Sequence, residues 1–168
     1  KREKIFANSH SDALYGGQSL EYEVATLKAP NMLFELTEFA INKELRLSDM
    51  PAQGPGMTHT CFQSPKAESG YDKFVAAGAR LLTPGNTPVD LGGYGVTYAY
   101  GYDPEGNMFE MEQLDGKILA RAGYDNAWQE WDSPMWMTQV AFATPDIEKL
   151  MDFYQDVLGI KPYRKAEI

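Results

Sequence analysis

The sequence predicts an α+β protein built from repeated strand–helix–strand units, and three observations carry that expectation. Met57-Thr58-His59-Thr60-Cys61-Phe62-Gln63-Ser64-Pro65 is echoed about eighty residues later by Met137-Thr138-Gln139-Val140-Ala141-Phe142-Ala143-Thr144-Pro145. Each reads as a strand running into a helix, with Ser64 or Thr144 at the N-cap and Pro65 or Pro145 at the first helical position. Phe109-Glu110-Met111-Glu112 has a counterpart in Phe34-Glu35-Leu36-Thr37. Finally, Asp103-Pro104-Glu105-Gly106-Asn107 is a strong turn signal between two strand-like segments.

Residues 1–39 read as three strands: one near Ile5–Ser9, one over Leu20–Leu27 after the Gly16-Gly17 turn, and one over Met32–Phe39. The alternation in Leu20-Glu21-Tyr22-Glu23-Val24 is that of a half-buried strand, and His10 falls at an exposed strand end. Residues 40–56, with Pro51, Gly54, Pro55 and Gly56, form a linker. Residues 57–114 make a complete βαβββ unit. Its first strand reaches Gln63, and its helix, over Lys66–Ala77, places Tyr71, Phe74, Val75 and Gly78 on one face. A short strand at Arg80–Thr83 follows, then strands over Gly95–Gly101 and Met108–Gln113. Residues 115–134 are a second linker, with Trp128 and Trp131 capping one edge. Residues 135–168 open a further unit: a strand at Thr138–Ala143 and a helix over Asp146–Val157. Ile147, Leu150, Met151, Tyr154 and Leu158 form the buried stripe of that helix, and Gly159 stops it.

The last segment is thus βα and the first is βββ. Joined, they complete a second βαβββ unit. The sequence reads as a window onto a longer tandem array, or as a circular permutation, or as a chain that exchanges these pieces with a neighbour.

A chain of 168 residues is long enough for one well-cored domain or two small modules. A net charge of −9 argues against nucleic acid or an anionic membrane as partner. The lone Cys61 excludes an intramolecular disulfide and fits a reducing compartment. No apolar run approaches a membrane span and the first residues lack a signal-peptide core. The expectation is a soluble, cytoplasmic protein.

Side-chain alternation sorts the candidate residues by face. His59, Cys61 and Gln63 share one side of their strand, with Thr60 and Phe62 on the other. Glu110 and Glu112 lie opposite Phe109 and Met111, and Glu35 lies between Phe34 and Leu36. The apolar neighbours can bury against a helix, which leaves the polar set facing a cleft. Carboxylates aimed into a cavity are costly unless paired, so a cation is a natural partner. Tyr94, Tyr98, Tyr100 and Tyr102 share a parity suited to a pocket wall, beside Cys61 and Glu112. Cys61 lies too far along the strand from His59 to be its nucleophilic partner, and packing is its plainer role.

An opening strand with His59, an amphipathic helix and the run from Asp103 to Glu110 together resemble the vicinal oxygen chelate superfamily, which includes glyoxalase I, extradiol dioxygenases and bleomycin resistance proteins. The resemblance implies paired βαβββ modules forming a half-barrel cleft around one divalent metal. Carried over residue by residue, the implied ligands are His59 and Gln139 from first strands and Glu110 and Glu35 from last strands. One imidazole, one amide and two carboxylates suit Zn, Ni, Co, Mn or Fe(II), and this set looks more like a glyoxalase I variant than a dioxygenase. By that analogy the protein is a glyoxalase-like isomerase or lyase on a small oxygenated substrate. Its metal would stabilise an enediolate, and Glu110 or Glu35 would move the proton. A homodimer is also implied. Two alternatives remain open: a metal-free protein that sequesters a drug or metabolite, and an Fe(II) ring-cleaving dioxygenase, which would require a second His.

Overall fold

The computed structural model describes residues 1–17, 19–41, 43–44, 49, 51, 53–124, 127–131 and 133–162. Two sheets organise them. The first is antiparallel, in the order β1-β2-β3, from β1 (Arg2–Ile5), β2 (Tyr22–Ala29) and β3 (Met32–Phe39). Between β1 and β2 stands a helix, α1 (Ser9–Tyr15), where the sequence suggested strand and turn. Its signals are local: the Asn8 side chain accepts from the His10 and Ser11 amides, and Gly16 closes the helix in the left-handed region at φ 65°. His10 therefore sits in the first turn of a helix, not at a strand end. Tyr15 of α1 meets Tyr22 and Phe39 edge-on, with ring centroids 5.3 and 5.1 Å apart.

The second sheet has the order β5-β6-β7-β4-β8. Its strands are β4 (Gly56–Pro65), β5 (Arg80–Leu81), β6 (Val96–Tyr102), β7 (Met108–Leu114) and β8 (Trp136–Ala143). β4 runs parallel to β7, which closes the βαβββ unit, and β8 pairs antiparallel with β4. The β6–β7 connection is pinned by Asp103. Its carboxylate accepts from the Glu105 and Asn107 amides, each at 2.9 Å, while Gly106 supplies the positive φ of 80°.

The helix of this unit is shorter than the sequence suggested. Lys66–Glu68 is a single 3-10 turn, and α2 spans Gly70–Ala76. Ser64 and Pro65 still belong to β4. The cap is Ser69, whose Oγ accepts from the Asp72 amide at 3.1 Å. On the outer face Phe74 stacks on Phe109 at 4.2 Å and approaches Phe62 at 6.2 Å. Gly70 lies against Met111 and Met135, and its amide donates to the buried Ser64 Oγ at 2.9 Å.

Residues 115–134, anticipated as a linker, contain α3 (Gly116–Arg121), which begins at the Asp115 cap. Trp128, Trp131 and Tyr124 pack over Trp136, with Leu114 and Leu119 beneath them. The two tryptophans, expected to cap a sheet edge, pack into this hydrophobic cluster with Leu114, Leu119 and Trp136.

α4 (Ile147–Leu158) follows β8. Its cap is Asp146, whose carboxylate accepts from the Lys149 amide at 3.0 Å, and Gly159 ends it in the left-handed region. The stripe predicted to be buried is not: no residue of α4 is buried, and Ile147 is 71% exposed. The cause is topological. β8 is an edge strand, and β1–β3 form a separate sheet. Hydrogen bonds between the sheets run through Asn31, whose side chain contacts both the carbonyl (2.6 Å) and the amide (3.2 Å) of Met137. Among the described residues, no helix is long and apolar enough to cross a membrane.

Candidate metal centre

Strand register builds the site. Cys61 of β4 stands opposite Glu110 of β7 on one side and Gln139 of β8 on the other, and Glu110 in turn stands opposite Tyr100 of β6. The next row reads Tyr98, Glu112, Gln63, Trp136. Both rows face away from α2. A register shift between Cys61 and Phe62 places an additional β8 residue, Thr138, in the pairing with β4. This bulge turns Gln139 and Trp136, three residues apart, to the same face.

Glu110 is the hub, and it is 4% exposed. Its Oε2 lies 3.3 Å from His59 Nε2 and accepts from Gln139 Nε2 at 3.2 Å. The Tyr100 ring meets the His59 ring edge-on at 5.1 Å. The other imidazole nitrogen, Nδ1, lies 3.0 Å from Thr58 Oγ1, and that hydroxyl donates to the Ala141 carbonyl at 3.3 Å. A hydroxyl has one proton to give. With it directed at Ala141, Thr58 accepts from Nδ1–H, which leaves the Nε2 lone pair aimed at the carboxylate. Two acceptors facing each other need a proton or a cation between them. Atoms bound to one zinc-like ion at about 2.1 Å in tetrahedral array stand about 3.4 Å apart, close to the observed spacing. The donor set fits a divalent metal, and rotating the Gln139 amide presents its oxygen in place of nitrogen.

Other polar groups support this row. Gln63 donates through Nε2 to Glu112 and accepts through Oε1 from the indole N–H of Trp136 at 3.1 Å. Burial pushes the Cys61 thiol well above its ordinary range; a Thr138 hydrogen bond opposes it, and the Glu110 and Glu112 charges add to the rise. Burial also raises the Tyr100 phenol, as do the Glu110 charge and hydrogen bond.

The structure thus brings together His59, Glu110 and Gln139, with Cys61, Tyr98, Tyr100 and Glu112 in the same two rows. Glu35 is exposed on β3 of the other sheet. Thr58 and Trp136 lie outside the set that the sequence places on the cleft face. Parity alone places Gln63 on the cleft face, but the Thr58 contact and the Trp136 placement depend on strand irregularities. A separate cavity of about 740 Å³ lies between Tyr15, Phe39, Ile41 and the Glu105–Asn107 turn, and it contains none of these residues.

No protein-family model and no curated protein sequence matches the chain. Two solved structures share its architecture. A glyoxalase family protein from Bacillus cereus superposes with a TM-score of 0.57 at 16% identity, covering 67% of this chain and 74% of its own. A mutant glyoxalase I from Zea mays superposes with a TM-score of 0.59 at 18% identity, covering 98% of this chain and 50% of its own. The chain therefore spans half the length of the maize enzyme, and its fold is that of the glyoxalase-type, vicinal oxygen chelate proteins.

Proposed function

We propose that this chain is a metal-dependent enzyme of glyoxalase type, an isomerase or lyase acting on a small oxygenated substrate. The observation that carries this reading is the opposition of His59 Nε2 and Glu110 Oε2 at 3.3 Å, with the imidazole tautomer set by Thr58. His59, Glu110 and Gln139 would hold the ion, with Glu35 as the fourth ligand carried over by resemblance. A divalent ion there supplies Lewis acidity to adjacent substrate oxygens. Glu110, buried at the centre of the row, is the group placed to take a proton from one substrate carbon and return it to the next. Tyr98 and Tyr100 line the wall, and the tryptophan cluster excludes water from one end.

The open edge of β8 and the exposed stripe of α4 support a homodimer in which a second copy covers both surfaces. The Gln139–Glu110 hydrogen bond favours one other reading, a metal-free cleft that sequesters a small molecule, because it gives the carboxylate a partner without any ion.

Elemental analysis of protein purified without chelator tests the proposal, beside His59→Ala and Glu110→Ala. About one divalent ion per chain is expected, lost in both variants, together with turnover of 2-oxoaldehyde–thiol adducts by the wild type. Absence of metal after soaking with Zn, Ni, Co, Mn and Fe(II) overturns it in favour of sequestration. Oxygen uptake with catechols would instead identify a dioxygenase.

A further inference from the structure

We infer that Cys61 and Glu112, two residues outside the ligand set implied by resemblance, are themselves ligands of the cleft cation. This inference rests on the proposal that the cleft holds a divalent ion and concerns which atoms hold it. The Cys61 sulfur and one oxygen each from Glu110 and Glu112 lie within 4.8 Å of one another. Three atoms bound to one ion at 2.0–2.3 Å in tetrahedral or trigonal array stand about 3.3–4 Å apart. An ion bound there would draw the three atoms inward from that 4.8 Å limit.

Burial strengthens the assignment. Cys61 is 0%, Glu110 4% and Glu112 8% exposed. Two carboxylates brought together away from water repel, and His59 can offset at most one negative charge. A divalent ion balances both.

Glu112 is also oriented. Gln63 holds one of its oxygens, and Gln63 is held in turn by the indole of the fully buried Trp136. Hydrogen-bonded supports of this kind fix metal ligands in place. By contrast, Glu35 is exposed on β3. In this arrangement β4 and β7 supply Cys61, Glu110 and Glu112, with Gln139 of β8 beside Glu110, and no ligand is needed from the sheet that carries Glu35.

Ligation converts the Cys61 thiol to a thiolate. The S–H proton leaves to solvent, and the sulfur electron pair enters the metal bond. A thiolate in the set selects borderline or soft ions such as zinc, cobalt and cadmium over magnesium or manganese.

Cobalt(II) titration followed by absorption tests the inference on the wild type, Cys61→Ser, Glu112→Gln and Glu110→Gln, with folding checked by circular dichroism. The wild type is expected to bind cobalt with a near-ultraviolet thiolate-to-cobalt charge-transfer band and to release a thiol proton. Cys61→Ser loses the band. Glu112→Gln keeps it but binds cobalt on the order of 10-fold or more weakly. If cobalt binds without that band, and Cys61→Ser and Glu112→Gln bind as the wild type does while Glu110→Gln does not, this ligand set is wrong and the metal-enzyme reading stands. If the folded wild type binds no cobalt, both fall. Should Cys61→Ser fail to fold, the wild-type spectrum alone decides.

Discussion

Thr58 is not a candidate ligand, yet it governs one. By accepting from His59 Nδ1 while donating to Ala141, it leaves Nε2 free to bind an ion. Thr58→Val keeps the shape and removes both contacts. Metal affinity is expected to fall by about 10- to 100-fold with thermal stability little changed, as calorimetric titration beside a melting curve would show. Cys61 makes a separate prediction for the metal-free protein. Its folded value is raised, so the native state retains a proton that the unfolded chain releases above about pH 8.5, and stability falls with rising pH. Between pH 7.5 and 9.5 the loss from this one group is about 1.4 kcal/mol. Urea midpoints should show it in the wild type and not in Cys61→Ala. Parity made His59, Glu110, Glu112 and Cys61 legible in the sequence, because a strand alternates strictly. The Trp136 placement was not, because the bulge at Thr138 shifts that alternation.

Among the elements, the turn from Asp103 to Asn107 was readable because Asp, Gly and Asn each meet a local backbone requirement, and its consequence, a correctly aimed β7, followed. α1 is equally local, but the alternation after it and the Gly16-Gly17 pair read as strand and turn, although Asn8 and Gly16 are ordinary helix boundaries. α2 was overextended because Ser64-Pro65 has the form of a cap, whereas parallel pairing with Gln113 and Leu114 keeps both residues in β4. The seating of α2 depends on Gly70. A Cβ there would lie 2.8 Å from Met111 Sδ and 2.9 Å from Met135 Sδ. Gly70→Ala is therefore expected to destabilise the protein by about 1–3 kcal/mol through overpacking. A lowered denaturation midpoint with an unchanged slope would confirm it.

At the scale of the whole molecule, β4–β7 with α2 form a complete βαβββ unit, and β8 and α4 add a strand and a helix at its β4 edge. Among the described residues, Asn31 ties the first sheet to β8 through the Met137 carbonyl and amide. The sequence stripe on α4 correctly marked an apolar face, but amphipathicity does not say which surface will cover it. Val140 and Phe142 on β8 and Phe153 and Val157 on α4 remain exposed. Sedimentation is expected to show a dimer at micromolar concentration that Phe142→Lys shifts toward monomer; a strictly monomeric wild type would rule the homodimer out. The repeat of 57–65 at 137–145 marks two strands, β4 and β8, that the structure pairs with each other.

The parallel closure of β4 on β7 also sets an order of assembly. The β6–β7 hairpin closes over a five-residue turn, but Cys61 and Glu110, partners in register, are separated by 49 positions of chain. Closing that longer span costs more chain entropy, so it is the later contact. The imidazole and the carboxylate that define the centre therefore meet only once the rest of the unit is in place. Anything captured between them acts chiefly as a brake on unfolding and does little to hasten folding.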